Sequence, residues 1–136
     1  MTIPGGLMAV GKTIRVTVMG VISTTGTPTV KVDFDIGGTT DVVTTGTQTL
    51  TASGLSSNLW HIELYITAYT VGGSGSYRCQ GYLQIESENQ RYEMRSTGTI
   101  GVNTTTDDLL DLELTWGTAS ASNTWVTTNV VTEVLN

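Results

Sequence analysis

The chain has 136 residues, 38 % of them hydrophobic and only 13 % charged, which fits one domain that can bury a core without disulfides or metals. Its formal net charge is −6 and its six basic residues are scattered, so the surface repels phosphate backbones and anionic headgroups, which excludes nucleic acid and membrane as partners. The lone Cys79 excludes an intrachain disulfide and a cysteine-based zinc site and reads as a small buried hydrophobe.

No segment carries a helical period. Two-residue alternation recurs instead, broken by turn residues. Threonine supplies much of the polarity; it is β-branched, so it suits extended backbone, and its hydroxyl wets an outward face without adding charge. Thr13 to Ile22 predicts a strand with Ile14, Val16 and Val18 on one face. After the turn Thr24-Thr25-Gly26-Thr27-Pro28, Val30 to Ile36 predicts a second strand, with Val30, Val32, Phe34 and Ile36 inward. The two are expected to pair as a hairpin. Short strands follow at Thr40–Thr44 and Gln48–Ala52, and Ser53 to Asn58 reads as a loop. Leu59 to Thr70 is a long strand with Trp60, Ile62, Leu64, Ile66 and Ala68 on one face. Through Gly72-Gly73-Ser74-Gly75 it forms a second expected hairpin with Tyr77–Ile85. Glu86 to Gln90 is a turn, Arg91–Thr97 a strand with Tyr92 and Met94 inward, and Gly101 to Asp108 a loop. Leu110, Leu112, Leu114 and Trp116 then alternate with polar residues. The last strand runs from Thr124 to Val134, with Val126, Val130 and Val134 expected on one face. Pro4 and Pro28 lie outside strand centres. Eight to ten short strands without helical crossovers give an all-β class: one antiparallel, jelly-roll-like β-sandwich spanning residues 1–136.

The residues that carry chemistry are sparse. His61 is the one histidine a Ser/His/Asp triad would need, but it falls mid-strand, and no G-x-S-x-G motif is present. Asp33 and Asp35 share the wet face of one strand, as any solvated strand would arrange them. Asp107, Asp108, Asp111 and Glu113 are the densest acidic run. With Asn103 they offer oxygens to Ca²⁺, yet without calcium-loop spacing, so turn chemistry is the preferred reading. No cofactor or metal is expected, and no catalytic activity. Tyr65, Tyr69 and Tyr82 face away from the inferred core, with His61, Arg78 and Glu63 nearby. This patch suits a subunit interface, a second buried layer or a sugar site. Trp125, opposite Val126, is a second candidate anchor.

Five segments carry a family resemblance: Leu7-Met8-Ala9-Val10-Gly11-Lys12-Thr13, Thr24-Thr25-Gly26-Thr27-Pro28-Thr29, Trp60-His61-Ile62-Glu63-Leu64, Val71-Gly72-Gly73-Ser74-Gly75, and Trp116 to Thr124 followed by Thr127-Thr128-Asn129-Val130. In this order they resemble a β-sandwich domain of tailed-bacteriophage virion proteins, which occurs as head-decoration (cement) proteins and as C-terminal domains of fibres. The resemblance implies a homotrimer on the capsid surface of a virion, with the major capsid protein as partner. The alternative it leaves open is a fibre domain that recognises host-surface glycans. A carbohydrate-binding module of an enzyme is a third reading. Related domains carry an extra polar strand before the Ile3-Pro4 position; here a neighbouring subunit or the capsid would supply it, or the fold would do without it.

Overall fold

The computed structural model describes residues 1–96 and 98–136, with residues 39–41 described by their backbone alone. Among the described residues eleven strands follow one another: β1 (Thr2–Ile3), β2 (Thr13–Ser23), β3 (Thr29–Ile36), β4 (Thr39–Thr44), β5 (Gln48–Thr49), β6 (Asn58–Thr70), β7 (Gly75–Ile85), β8 (Arg91–Arg95), β9 (Ile100–Val102), β10 (Asp108–Trp116) and β11 (Thr124–Val134). Every pairing is antiparallel, and no described residue is helical. The strands form one curled sheet in the order β1-β10-β3-β4-β8-β7-β6-β2-β11, with β5 added to β3 and β9 to β7.

Alternation builds the core as the sequence predicts. Ile14, Val16, Val18 and Ile22 of β2 meet Trp60, Ile62, Leu64 and Ile66 of β6, and Tyr77, Leu83 and Ile85 of β7. Val30, Val32, Phe34 and Ile36 of β3 and Leu110 of β10 belong to the same cluster. At about 25 cal/mol per Å² of apolar area removed from water, this cluster is the main favourable term of folding. Cys79 lies in it, 4 % exposed, and burial pushes its thiol up to about 12.

The β6–β7 hairpin forms as expected. The expected β2–β3 hairpin does not: β2 lies between β6 and β11, and β3 between β10 and β4. The connecting turn bonds a distant loop instead. Thr24 N–H donates to Leu55 O, Leu55 N–H to Thr24 Oγ1, and Gly54 N–H to Gly26 O. These bonds draw the turn away from a tight reversal, so β2 and β3 take different partners. The strand expected over Gln48–Ala52 stops at Thr49. The buried Glu88 carboxylate takes the Thr51 N–H (2.9 Å), the Thr51 hydroxyl (2.5 Å) and the Ala52 N–H (3.0 Å). Ile100–Val102, on the border of an expected loop, pairs with the start of β7. The expected strand over Arg91–Thr97 ends at Arg95, and Thr97 lies outside the described residues. At the N-terminus, Thr2–Ile3 pairs with β10 of the same chain.

The last strand corrects the expected phase. The register against β2 slips between Thr127 and Asn129, a β-bulge. Before the bulge Val126 pairs with Val21 and faces outward; after it Val130 and Val134 pair with Val18 and Ile14 on the core side. One extra residue moves Val126 away from the other two.

Candidate binding face

The outward side of β2, β6, β7 and β8 is a continuous polar and aromatic face, set by the phase that buries the residues in between. Antiparallel register places Glu63 opposite Tyr82, Tyr65 opposite Gln80, His61 opposite Gln84 and Thr67 opposite Arg78. Five of the six residues singled out from sequence therefore stand together: His61, Tyr65 and Tyr69 on β6, Arg78 and Tyr82 on β7. His61 meets Tyr82 edge to face at 5.6 Å. The Tyr65 hydroxyl donates to Glu63 Oε1 at 2.9 Å. Arg78 lies over the Tyr69 ring at 4.2 Å, and Arg91 over Tyr82 at 4.4 Å. Such stacking orders long side chains on an exposed surface.

Trp125 is not part of this face. It turns to the core side of β11 and stacks on Trp60, with ring centroids 4.0 Å apart and planes at 23°. Gly20 permits this: a Cβ there would lie 2.6 Å from Trp60 Cζ2 and would fall on the Val126 carbonyl oxygen.

Sequence reasoning missed β8's share. Arg91, Glu93 and Arg95 alternate visibly with buried Tyr92 and Met94, but nothing in a single sequence says that β8 lies beside β7. Together they wall a groove of about 540 Å³ with Tyr65, Gln80 and Tyr82. The face also concentrates positive charge. Arg15, Arg78, Arg91 and Arg95 are four of the six basic residues, whereas Glu63, Glu93 and Glu133 are only three of twelve acidic ones. Arg15 and Glu133 form an ion pair at 2.5 Å.

The opposite charge gathers on β3 and β10, where register sets Asp35 against Asp111 and Asp33 against Glu113. Lys31 bridges to the buried Asp33 at 3.1 Å. The Asn103–Asp108 segment makes turn and anchoring bonds: Asn103 Oδ1 accepts from the Thr105 N–H (3.1 Å), and Asp107 Oδ1 from the Gly5 N–H (2.9 Å). Asp108 is buried and accepts from the Tyr77 hydroxyl at 3.0 Å. Burial holds the Asp108 carboxyl above the usual range, against the lowering effect of that hydrogen bond, and pushes the Tyr77 hydroxyl up as well. Among the described residues, no group of three or more His, Cys, Asp or Glu is placed to hold a metal ion. Compared with known proteins, the chain matches no family model, no curated protein and no solved structure.

Proposed function

We propose that this chain is a virion structural protein of a tailed bacteriophage, a homotrimeric decoration protein that binds the major capsid protein and stabilises the head shell without catalysing a reaction. The observation that carries the binding face is the Arg-capped tyrosine array on β6, β7 and β8. An ordered, partly desolvated set of Tyr and Arg side chains is the composition that protein interfaces favour. The family assignment rests on the sequence resemblance described above. In this reading the curled sheet is a jelly-roll-like sandwich, and the mechanism is mass action: each copy that binds the assembled shell and not its free subunits shifts the balance toward the shell.

The same geometry weighs against the glycan alternative. Sugar stacking needs a free aromatic face, and Arg78 and Arg91 cover one face each of Tyr69 and Tyr82. The test is co-sedimentation with phage heads lacking their decoration protein, followed by imaging. Density repeated over the icosahedral lattice is expected, with at least about tenfold weaker binding for Arg91→Glu. Failure to bind any head, together with capture on immobilised host glycans, overturns the decoration reading in favour of the fibre domain.

A further inference from the structure

Three hollows on the outward face run into one another. The groove beside β8 shares Gln80 and Arg95 with a hollow of about 390 Å³, which in turn shares Arg78 and Gln80 with one of about 420 Å³ that reaches Tyr69. They make one open trough along β7, with Gln80 at its middle. Its lining holds three of the six basic residues, Arg78, Arg91 and Arg95, but of the twelve acidic ones only Glu93. Among the described residues, none of these three arginines forms an ion pair. Arg78 and Arg91 lie flat on Tyr69 and Tyr82, which fixes each guanidinium plane and leaves N–H edges for an acceptor. Arg91 uses only its Nε–H on Gln84, at 3.2 Å. Arg95 is exposed and lines the same hollow as Arg78 from the neighbouring strand. Like charges gathered in this way repel one another, and an anion between them offsets that repulsion.

We propose that the trough binds an extended acidic segment of another protein, with one carboxylate on Arg91 and a second between Arg95 and Arg78. Charge selects the class of partner: a chain that carries −6 overall presents here a lining of three guanidinium groups against one carboxylate. Register sets the spacing. Arg91 stands opposite Gln84 and Arg95 opposite Gln80, so the two arginines are four residues apart, about 13 Å along the strand. Alternate side chains of an extended segment face one way, so carboxylates at positions i and i+4 reach both arginines. Position i+2 falls beside Glu93, which favours a Lys or a hydroxyl there and opposes a third carboxylate. A nucleic acid fits less well. Arg78 and Arg91 cover one face each of the rings on which bases would stack, and the net charge of the whole chain repels a polyanion at long range. The inference deepens the capsid reading and rests on it only for which protein carries the segment.

Calorimetric titration and amide NMR of the full chain test it, with a blocked synthetic peptide that carries two aspartates four residues apart and a lysine midway. Saturable binding is expected to shift the amide signals of Gln80 and Arg95 and to fade in high salt. Arg95→Gln, at an exposed position, is expected to weaken it about tenfold, and so is the same peptide with its aspartates made adjacent. Lys12→Gln removes an equal charge outside the trough and leaves binding unchanged. Absence of saturable binding overturns the inference, as does binding indifferent to Arg95→Gln or to the aspartate spacing. Tighter binding of a single-stranded DNA oligomer or a sialylated oligosaccharide overturns it as well. Peptide binding as expected, by a chain that ignores phage heads, leaves the inference standing and sinks only the capsid reading. Heads that bind wild type and Arg95→Gln alike, with the peptide unbound, do the reverse.

Discussion

Glu88 is 4 % exposed, yet among the described residues no basic side chain forms an ion pair with it. Burial works to raise its pKa, but the bonds from the Thr51 hydroxyl, the Ala52 N–H and the Thr51 N–H prevail and hold the carboxyl below its ordinary value. A folded pKa below the unfolded one contributes stability that is present above the ordinary carboxyl range and lost as pH falls through the folded value. Asp108 acts in the opposite sense. Its folded pKa is raised, so its contribution is present below the ordinary aspartate range and lost as pH rises through the folded value. Thermal melts across the acid range separate the two. Glu88→Ala is expected to cost about 2 kcal/mol at neutral pH, because two part-buried N–H groups lose a charged acceptor, and to lose less as acid protonates the wild type. Asp108→Asn keeps an acceptor for Tyr77 and is expected to gain on the wild type as pH rises. A constant offset between wild type and either variant across this range would refute the assigned titration.

At the scale of the element, strand phase was legible wherever an alternating run met a covered core. The apolar residues of Val30 to Ile36 and Trp60 to Ala68 lie as their pattern predicts, because a one-residue slip would expose every buried side chain; Asp33, expected on the wet face with Asp35, is instead buried, 1 % exposed, and bridged by Lys31. Pairing was less legible. The β6–β7 hairpin joins neighbours in sequence, whereas β2 and β3 find partners far along the chain, and no local pattern encodes that choice. The phase of β11 was lost to a bulge that Thr127-Thr128-Asn129 does not announce by composition. For the same reason His61, Tyr65, Tyr69, Arg78 and Tyr82 share one outward face, whereas Trp125 turns to the core side. Gly20 shows what such a position demands. Its missing side chain admits both the Trp60 indole and the bulged backbone of β11. Gly20→Ala is therefore expected to destabilise by about 1–3 kcal/mol, because a methyl group overpacks a filled site. Urea titration reads this directly, and a change below about 0.5 kcal/mol would mean that β11 is free to shift.

Across the whole molecule, charge is segregated. Basic residues collect on the outward face of β2, β7 and β8, while β3 and β10 oppose carboxylates with carboxylates. Like charges directly opposite on adjacent strands are destabilising, and the same segregation leaves the surface polarised. Asp111→Lys, exposed and facing Asp35, is expected to raise stability by about 0.5 kcal/mol and Tm by about 1–2 °C at low ionic strength. The gain should shrink in high salt, where exposed charges are screened; a gain that persists there points to packing instead.

The Trp60–Trp125 stack has an optical consequence. Two indoles 4.0 Å apart in near-parallel planes couple their electronic transitions, and one of them belongs to the last strand while the other is fixed in the core. Their shared circular dichroism signal therefore reports whether β11 is seated, separately from whether the rest of the sheet is folded. A dye-free spectrum can follow that strand as the chain is unfolded or as Gly20 is replaced, with Trp116, outside the stack, as the internal standard.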